Sequence, residues 1–166
     1  MTVDAFKSFS KKQLILLNWW TDSSPYKNRD AIICDGSVRS GKTVCMFLSF
    51  IFWAFYMFSD SSFAVCGKTI TSLRRNIITP MLPMLRSLGF TYEELVSKNM
   101  IIIKKDGREN RFYIFGGKDE GSAALIQGMT LSGVMLDETA LMPRSFCEQA
   151  IARCSVDNSR LWFNCN

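Results

Sequence analysis

Apolar and polar residues fall in blocks along this chain, and the blocks predict alternating strands and helices. Short apolar runs bounded by polar residues mark buried strands at 31–35 (Ala-Ile-Ile-Cys-Asp), 62–66, 133–137 and 160–165. Longer apolar stretches read as helices. One covers Leu14–Trp20, opened by Ser10-Lys-Lys-Gln13 in the manner of a capping box. A second runs through Val44–Phe58, and a third, Ile70–Leu88, is expected to break near Pro80 and Pro83. A fourth spans Pro143–Cys154, with Pro143 suited to its first turn. Met100–Lys105 and Arg111–Phe115 flank Asp106-Gly107, a hairpin signal, and Gly116-Gly117 ends that hairpin. Strand–helix alternation implies an α/β fold: a mainly parallel sheet with helices on both faces, plus the added hairpin.

Between the strand at 31–35 and the apolar helix lies Gly36-Ser-Val-Arg-Ser-Gly-Lys-Thr43. The spacing Gly-x4-Gly-Lys-Thr is the phosphate-loop pattern, and strand before, helix after is the context it requires. Backbone N–H groups of Gly36, Ser37, Val38, Arg39, Ser40 and Gly41 would form a nest for phosphate oxygens beside the positive helix N-terminus. Lys42 would reach the β- and γ-phosphates and Thr43 would ligate Mg²⁺. Arg39 is either a solvated side chain or a sensor of the γ-phosphate. The run Val134-Met-Leu-Asp137-Glu138 places two carboxylates at a strand end. Asp137 is the candidate Mg²⁺ holder and Glu138 the candidate general base. The strand at 62–66 and the hairpin lie between the two motif strands, and an inserted strand with Glu directly after Asp is the pattern of RecA-like (ASCE) P-loop ATPases. No Asn-Lys-x-Asp guanine-reading run is present, so ATP is the expected nucleotide.

Composition narrows this further. The 166 residues suit one domain, and 20 Lys and Arg against 15 Asp and Glu lean toward an anionic partner. There is no histidine, which excludes Ser-His-Asp and Cys-His catalysis. The six cysteines form no Cys-x-x-Cys pair and read as free thiols. The opening residues show no signal-peptide pattern. The 15 residues of Val44–Phe58 fall short of the about 20 needed to span a bilayer, so no membrane association is expected.

Three stretches resemble the large subunit of tailed-bacteriophage terminase. Asp35–Thr43 is similar to that family's Walker A, arginine included. Gln127-Gly-Met-Thr-Leu-Ser-Gly-Val-Met-Leu-Asp-Glu-Thr-Ala-Leu-Met-Pro143 resembles its Walker B region, with the Gly-x-Thr lead-in and the Ala-Leu-Met-Pro tail. Trp162-Phe-Asn-Cys-Asn166 resembles the start of its coupling motif. The resemblance implies an ATPase that drives double-stranded DNA into a procapsid as a homo-oligomeric ring. Its implied partners are the portal protein and the small terminase subunit, met in the host cytoplasm. It also implies an adenine contact from Gln13, which the residues alone equally read as a helix cap, and a coupling role for Asn164, otherwise a polar strand end. Another RecA-like DNA motor, such as a helicase, and a nucleotide-binding module with little turnover are the alternatives. Residues 1–29 would form an adenine-side segment and 30–166 the P-loop core, together a single ATPase domain read as a fragment without the family's nuclease domain. The place of a trans-acting arginine in some relatives holds Gln127, which leaves Arg108, Arg111, Arg144 and Arg153 as candidates. Lys98, Lys104, Lys105, Arg108 and Arg111 cluster around the hairpin, either touching DNA phosphates or simply solvated.

Overall fold

The structure is a computed structural model and describes residues 8–37 and 40–165. Val38 and Arg39, and with them two residues of the phosphate loop and its candidate γ-phosphate sensor, lie outside the described residues. Seven strands form one sheet in the order β1-β7-β6-β2-β5-β4-β3. They are β1 (Ala31–Asp35), β2 (Ser61–Gly67), β3 (Thr91–Leu95), β4 (Met100–Lys105), β5 (Arg108–Gly116), β6 (Gly133–Leu136) and β7 (Arg160–Cys165). The first five in spatial order are mutually parallel, whereas β4 runs antiparallel to both β5 and β3. The hairpin forms as the sequence predicts: Lys105 pairs with Arg108 across Asp106-Gly107. Both turn residues have positive φ, 50° and 77°, the requirement of a tight turn that matches the twist of the strands.

Helices cover both faces. On one lie α1 (Lys11–Asn18), α2 (Lys42–Met57), α3 (Ile70–Leu73) and α4 (Thr79–Ser87); on the other lie α5 (Ala123–Ile126) and α6 (Arg144–Arg153). Alternation along the strands feeds the two cores separately. Phe63 and Val65 of β2 join the first, Ala64 and Cys66 the second. The first core is aromatic. Phe63 and Phe112 stack at 4.9 Å between centroids, and Trp53 and Trp162 meet at 4.8 Å. Trp162 also donates its indole N–H to Ser49 Oγ at 3.2 Å, so the one polar side chain buried in α2 has a partner. This packing explains why α2 is apolar nearly all round: it is enclosed by α1 and by the sheet.

Three expectations need correction. The helix does not break at its prolines. A π-helical turn, Arg74–Ile78, links α3 to α4, and Pro80 follows in the first turn of α4, where an N–H is dispensable. The strand Thr91–Leu95 is additional to those the sequence pattern predicts, because its exposed, glutamate-bearing edge position gives no apolar signal. Finally, the strand that separates the two motif strands in the sheet is β7, whereas the strand at 61–67 lies beyond β6.

The hairpin cations serve the fold. Arg108 donates to the carbonyl oxygens of Phe55 and Tyr56 at 2.7 and 3.0 Å, closing the C-terminus of α2. Arg111 pairs with Asp60 at 2.7 Å, Lys104 with Glu109 at 2.9 Å, and Lys105 donates to Leu88 O at 2.9 Å. These bonds favour the structural reading of the cluster over a DNA surface.

Candidate nucleotide site

Parallel pairing of β1, β7 and β6 brings their C-terminal ends to one edge of the sheet. That edge carries the phosphate loop after β1, Asn164 near the end of β7, and Asp137 after β6. The loop needs unusual backbone angles at its two ends, and glycine supplies them: Gly36 has φ 150° and Gly41, the N-cap of α2, has φ 75°. Lys42 opens α2. Its ammonium donates to Gly36 O, and to Ser37 O at 3.3 Å. The cation is therefore folded over the loop that the sequence assigns to phosphates.

Asn164 joins the two motifs. Its Nδ2 donates to Asp137 Oδ1 at 2.7 Å and to Thr43 Oγ1 at 3.4 Å. The three residues expected to hold metal and to couple thus meet around one amide, although β7 separates their strands. Asn164 is 1 % exposed, and its Oδ1 has no partner among the described residues. Thr43 and Asp137 present two oxygens to one small volume, the donor chemistry that suits Mg²⁺ when phosphate oxygens and water complete its shell.

Burial raises the pKa of Asp137 above the ordinary carboxylate value, opposed by the Asn164 N–H and the backbone N–H of Glu138. The sign is that of a buried acid. Below its unfolded pKa the group is neutral in both states and carries no penalty. As pH rises through the raised folded value, the folded state must hold a buried charge and loses stability. Asp137→Asn is therefore expected to stabilise the free protein at neutral pH relative to wild type, with the difference vanishing in acid. Urea midpoints measured from acid to neutral pH check this.

Glu138 follows with φ 51° and ψ 50°. A non-glycine residue in the left-handed region is held there by its surroundings, and such strain concentrates at functional positions. Glu138 lies two residues beyond the end of β6, directly after Asp137.

Gln13 fulfils the capping reading and does more. Its Oε1 accepts from Ser10 N–H at 2.8 Å and its own N–H donates to Ser10 Oγ at 3.2 Å, completing the box. Its Nε2 also donates to Ser40 O at 2.9 Å, across 27 residues, a bond with no sequence signal. A cavity of about 390 Å³ opens between α1, β1 and the phosphate loop, lined by Gln13, Leu16, Ile32, Ser37, Ser40 and Lys42 among others. Part apolar and part polar, it suits a nucleoside; the acidic pair does not line it. Cys34 beside it is a thiol pushed up to about 12 by burial, and all six cysteines are free, as the sequence implies.

Of the candidate partner-directed arginines, Arg108 and Arg111 are engaged in the fold. Arg144 pairs with Glu148 at 2.5 Å on its own helix and leaves 90 % of its side chain exposed. Arg153 has a buried Nε without a partner among the described residues. No helix is long and apolar enough to cross a membrane among the described residues.

No family model matches the chain, and no curated protein does. Solved structures do. The large terminase of a thermophilic bacteriophage matches at 53% identity and a TM-score of 0.92, over 96% of this chain and 39% of that one. The same protein in complex with ADP matches at 52% identity, TM-score 0.92, over 95% and 39%. In complex with ATP-gamma-S it matches at 50% identity, TM-score 0.89, over 96% and 38%. The chain thus spans about two-fifths of that protein's length. The large terminase ATPase domain of a Thermus phage matches at 16% identity and a TM-score of 0.61, over 81% of this chain and 58% of that one, a likeness of fold alone. By sequence over nearly all its residues, the chain is related to phage large terminase, and its sheet has the RecA-like P-loop architecture of a terminase ATPase domain.

Proposed function

We propose that this chain binds ATP with Mg²⁺ and hydrolyses it, and that the hydrolysis drives double-stranded viral DNA into a procapsid. The observation that carries the reading is the Asn164 amide bonded to both Thr43 and Asp137, which joins the two motifs at one sheet edge. The nucleotide complexes of the thermophilic phage's terminase support it.

The chain's residues divide the work. Loop N–H groups and Lys42 hold the phosphates, and Lys42 exchanges its loop carbonyls for the β- and γ-oxygens. Thr43 and Asp137 would hold Mg²⁺, which neutralises charge developing on the phosphate oxygens. Glu138 takes a proton from the attacking water as that oxygen bonds to the γ-phosphorus and the ADP oxygen leaves. Asn164, on the strand between the motifs, bonds to both Thr43 and Asp137 and would pass a change at either along β7.

In the full reading, residues 1–166 are one ATPase domain of a longer terminase large subunit. It assembles as a homo-oligomeric ring in the host cytoplasm, transiently on the procapsid, with the portal protein and the small terminase subunit. ATP turnover by the purified protein, followed against protein concentration, tests this. Mg²⁺-dependent hydrolysis that rises more steeply than linearly is expected from a ring in which a neighbour completes the site. Tight ATP binding with no turnover at any concentration, or with added double-stranded DNA, would favour the nucleotide-binding module instead.

A further inference from the structure

Lys68, the first residue past β2, belongs to neither nucleotide motif. Register fixes its place. β2 and β6 run parallel with Cys66 opposite Leu136, and the ladder continues one step, Asp137 N–H donating to Cys66 O at 2.8 Å. Lys68 and Glu138 therefore follow neighbouring strands at the same level of the sheet edge. We infer that Lys68 is a second cation of the nucleotide site, which contacts the γ-phosphate beside Glu138. The inference rests on the hydrolysis site proposed above and adds a residue to it.

The backbone at this point is pinned. Gly117 N–H donates to Gly67 O at 2.8 Å, tying the end of β2 to the end of β5. A Cβ at Gly116 would lie 3.0 Å from Ile70 N and 3.2 Å from Thr69 Cα, so a side chain there would push away the segment that follows Lys68. Thr69 then caps α3, its Oγ1 accepting from Ser72 N–H at 3.1 Å. The Lys68 side chain, by contrast, is lightly held. It is half-buried, and its ammonium donates to one backbone acceptor, Lys118 O, at 3.0 Å. Among the described residues no carboxylate pairs with it. An ammonium resting on an uncharged carbonyl gains Coulomb attraction when a phosphate oxygen takes that place. The flexible four-carbon stem can carry it from the β5 side of the strand tip to the β6 side. There it would meet the phosphate whose charge is redistributed as water attacks.

The test compares ADP with ATP-gamma-S, which adds the third phosphate position. Both are titrated calorimetrically with Mg²⁺ into wild type, Lys68→Met, Lys68→Arg and Lys118→Ala, beside single-turnover hydrolysis of ATP with and without double-stranded DNA. Methionine keeps much of the apolar stem and removes the charge, and arginine keeps the charge. Lys118→Ala removes a neighbouring cation but leaves the backbone oxygen that Lys68 holds.

Lys68→Met is expected to bind ADP as wild type does and ATP-gamma-S about tenfold more weakly. Its single-turnover rate is expected to fall by roughly 10²-fold, the scale of one donor aimed at developing charge. Lys68→Arg is expected to recover most of both losses, and Lys118→Ala to change neither. Wild-type affinity and rate in Lys68→Met overturn the proposal. Equal weakening of ADP and ATP-gamma-S overturns it as well, because the residue then shapes the fold. A loss in Lys118→Ala as large as in Lys68→Met assigns the effect to the surface field, and a defect seen only with DNA present makes Lys68 a DNA contact; either result ends the proposal. Failure of the nucleotide site itself has a separate signature: Lys42→Ala would bind ADP and ATP-gamma-S as well as wild type does.

Discussion

Replacing Glu138 by glutamine is expected to leave ATP affinity unchanged while hydrolysis falls by roughly 10²- to 10⁴-fold, the usual contribution of a positioned general base. The substitution keeps size and shape and removes the ability to take a proton. Ground-state binding is expected to be untouched because, in the proposed site, the loop, Lys42, Thr43 and Asp137 supply the contacts to phosphate and metal, and Glu138 supplies none of them. The left-handed backbone at position 138 is as accessible to glutamine as to glutamate, so the fold is preserved. Single-turnover hydrolysis of ATP, beside equilibrium binding of ATP and ADP, separates the two effects. Normal turnover in Glu138→Gln would remove the base assignment and send the search to another carboxylate. A parallel loss of affinity would mean that Glu138 helps hold the nucleotide rather than activate water.

How much of this site could be read from the chain depends on how local each feature is. The phosphate loop and the capping box are contiguous, so spacing identifies them, and the structure places Gly36, Gly41, Lys42 and Thr43 between β1 and the first turn of α2 as expected. The Asp-Gly hairpin is local in the same way. The strand between the two motifs is not. Its identity as β7 follows from sheet order, and the link from Asn164 to Asp137 and Thr43 spans 27 and 121 residues. No local pattern announces such a contact, and the coupling role of Asn164 rests on resemblance instead. Gln13 shows both cases at once: its bonds to Ser10 follow from a three-residue spacing, its bond to Ser40 from tertiary packing. The basic hairpin misleads for a related reason. Charge is visible in sequence, but whether a guanidinium meets solvent, DNA or the end of a helix is decided by what folds beside it, here α2 and Asp60.

The second large effect falls on Lys42. Lys42→Ala is expected to weaken ATP binding by about 100-fold or more while leaving the protein folded. The ammonium sits against Gly36 O and Ser37 O, carbonyls in an exposed loop that water can satisfy once the side chain is gone. In the proposed ATP complex the same ammonium would face phosphate oxygens, and the variant would lose charge-assisted bonds of about 1.5–3 kcal/mol each together with a counter-charge for the triphosphate. Two such bonds amount to a factor of roughly 10² to 10⁴ in affinity. The loss should deepen from AMP through ADP to ATP, because the proposed role of the cation is to hold the β- and γ-phosphates and not the α-phosphate. Titration of the three nucleotides into wild type and variant, with circular dichroism to confirm the fold, checks this. An equal loss for all three would place Lys42 at the nucleoside end of the 390 Å³ cavity it borders, and the phosphate assignment of the loop would fall with it.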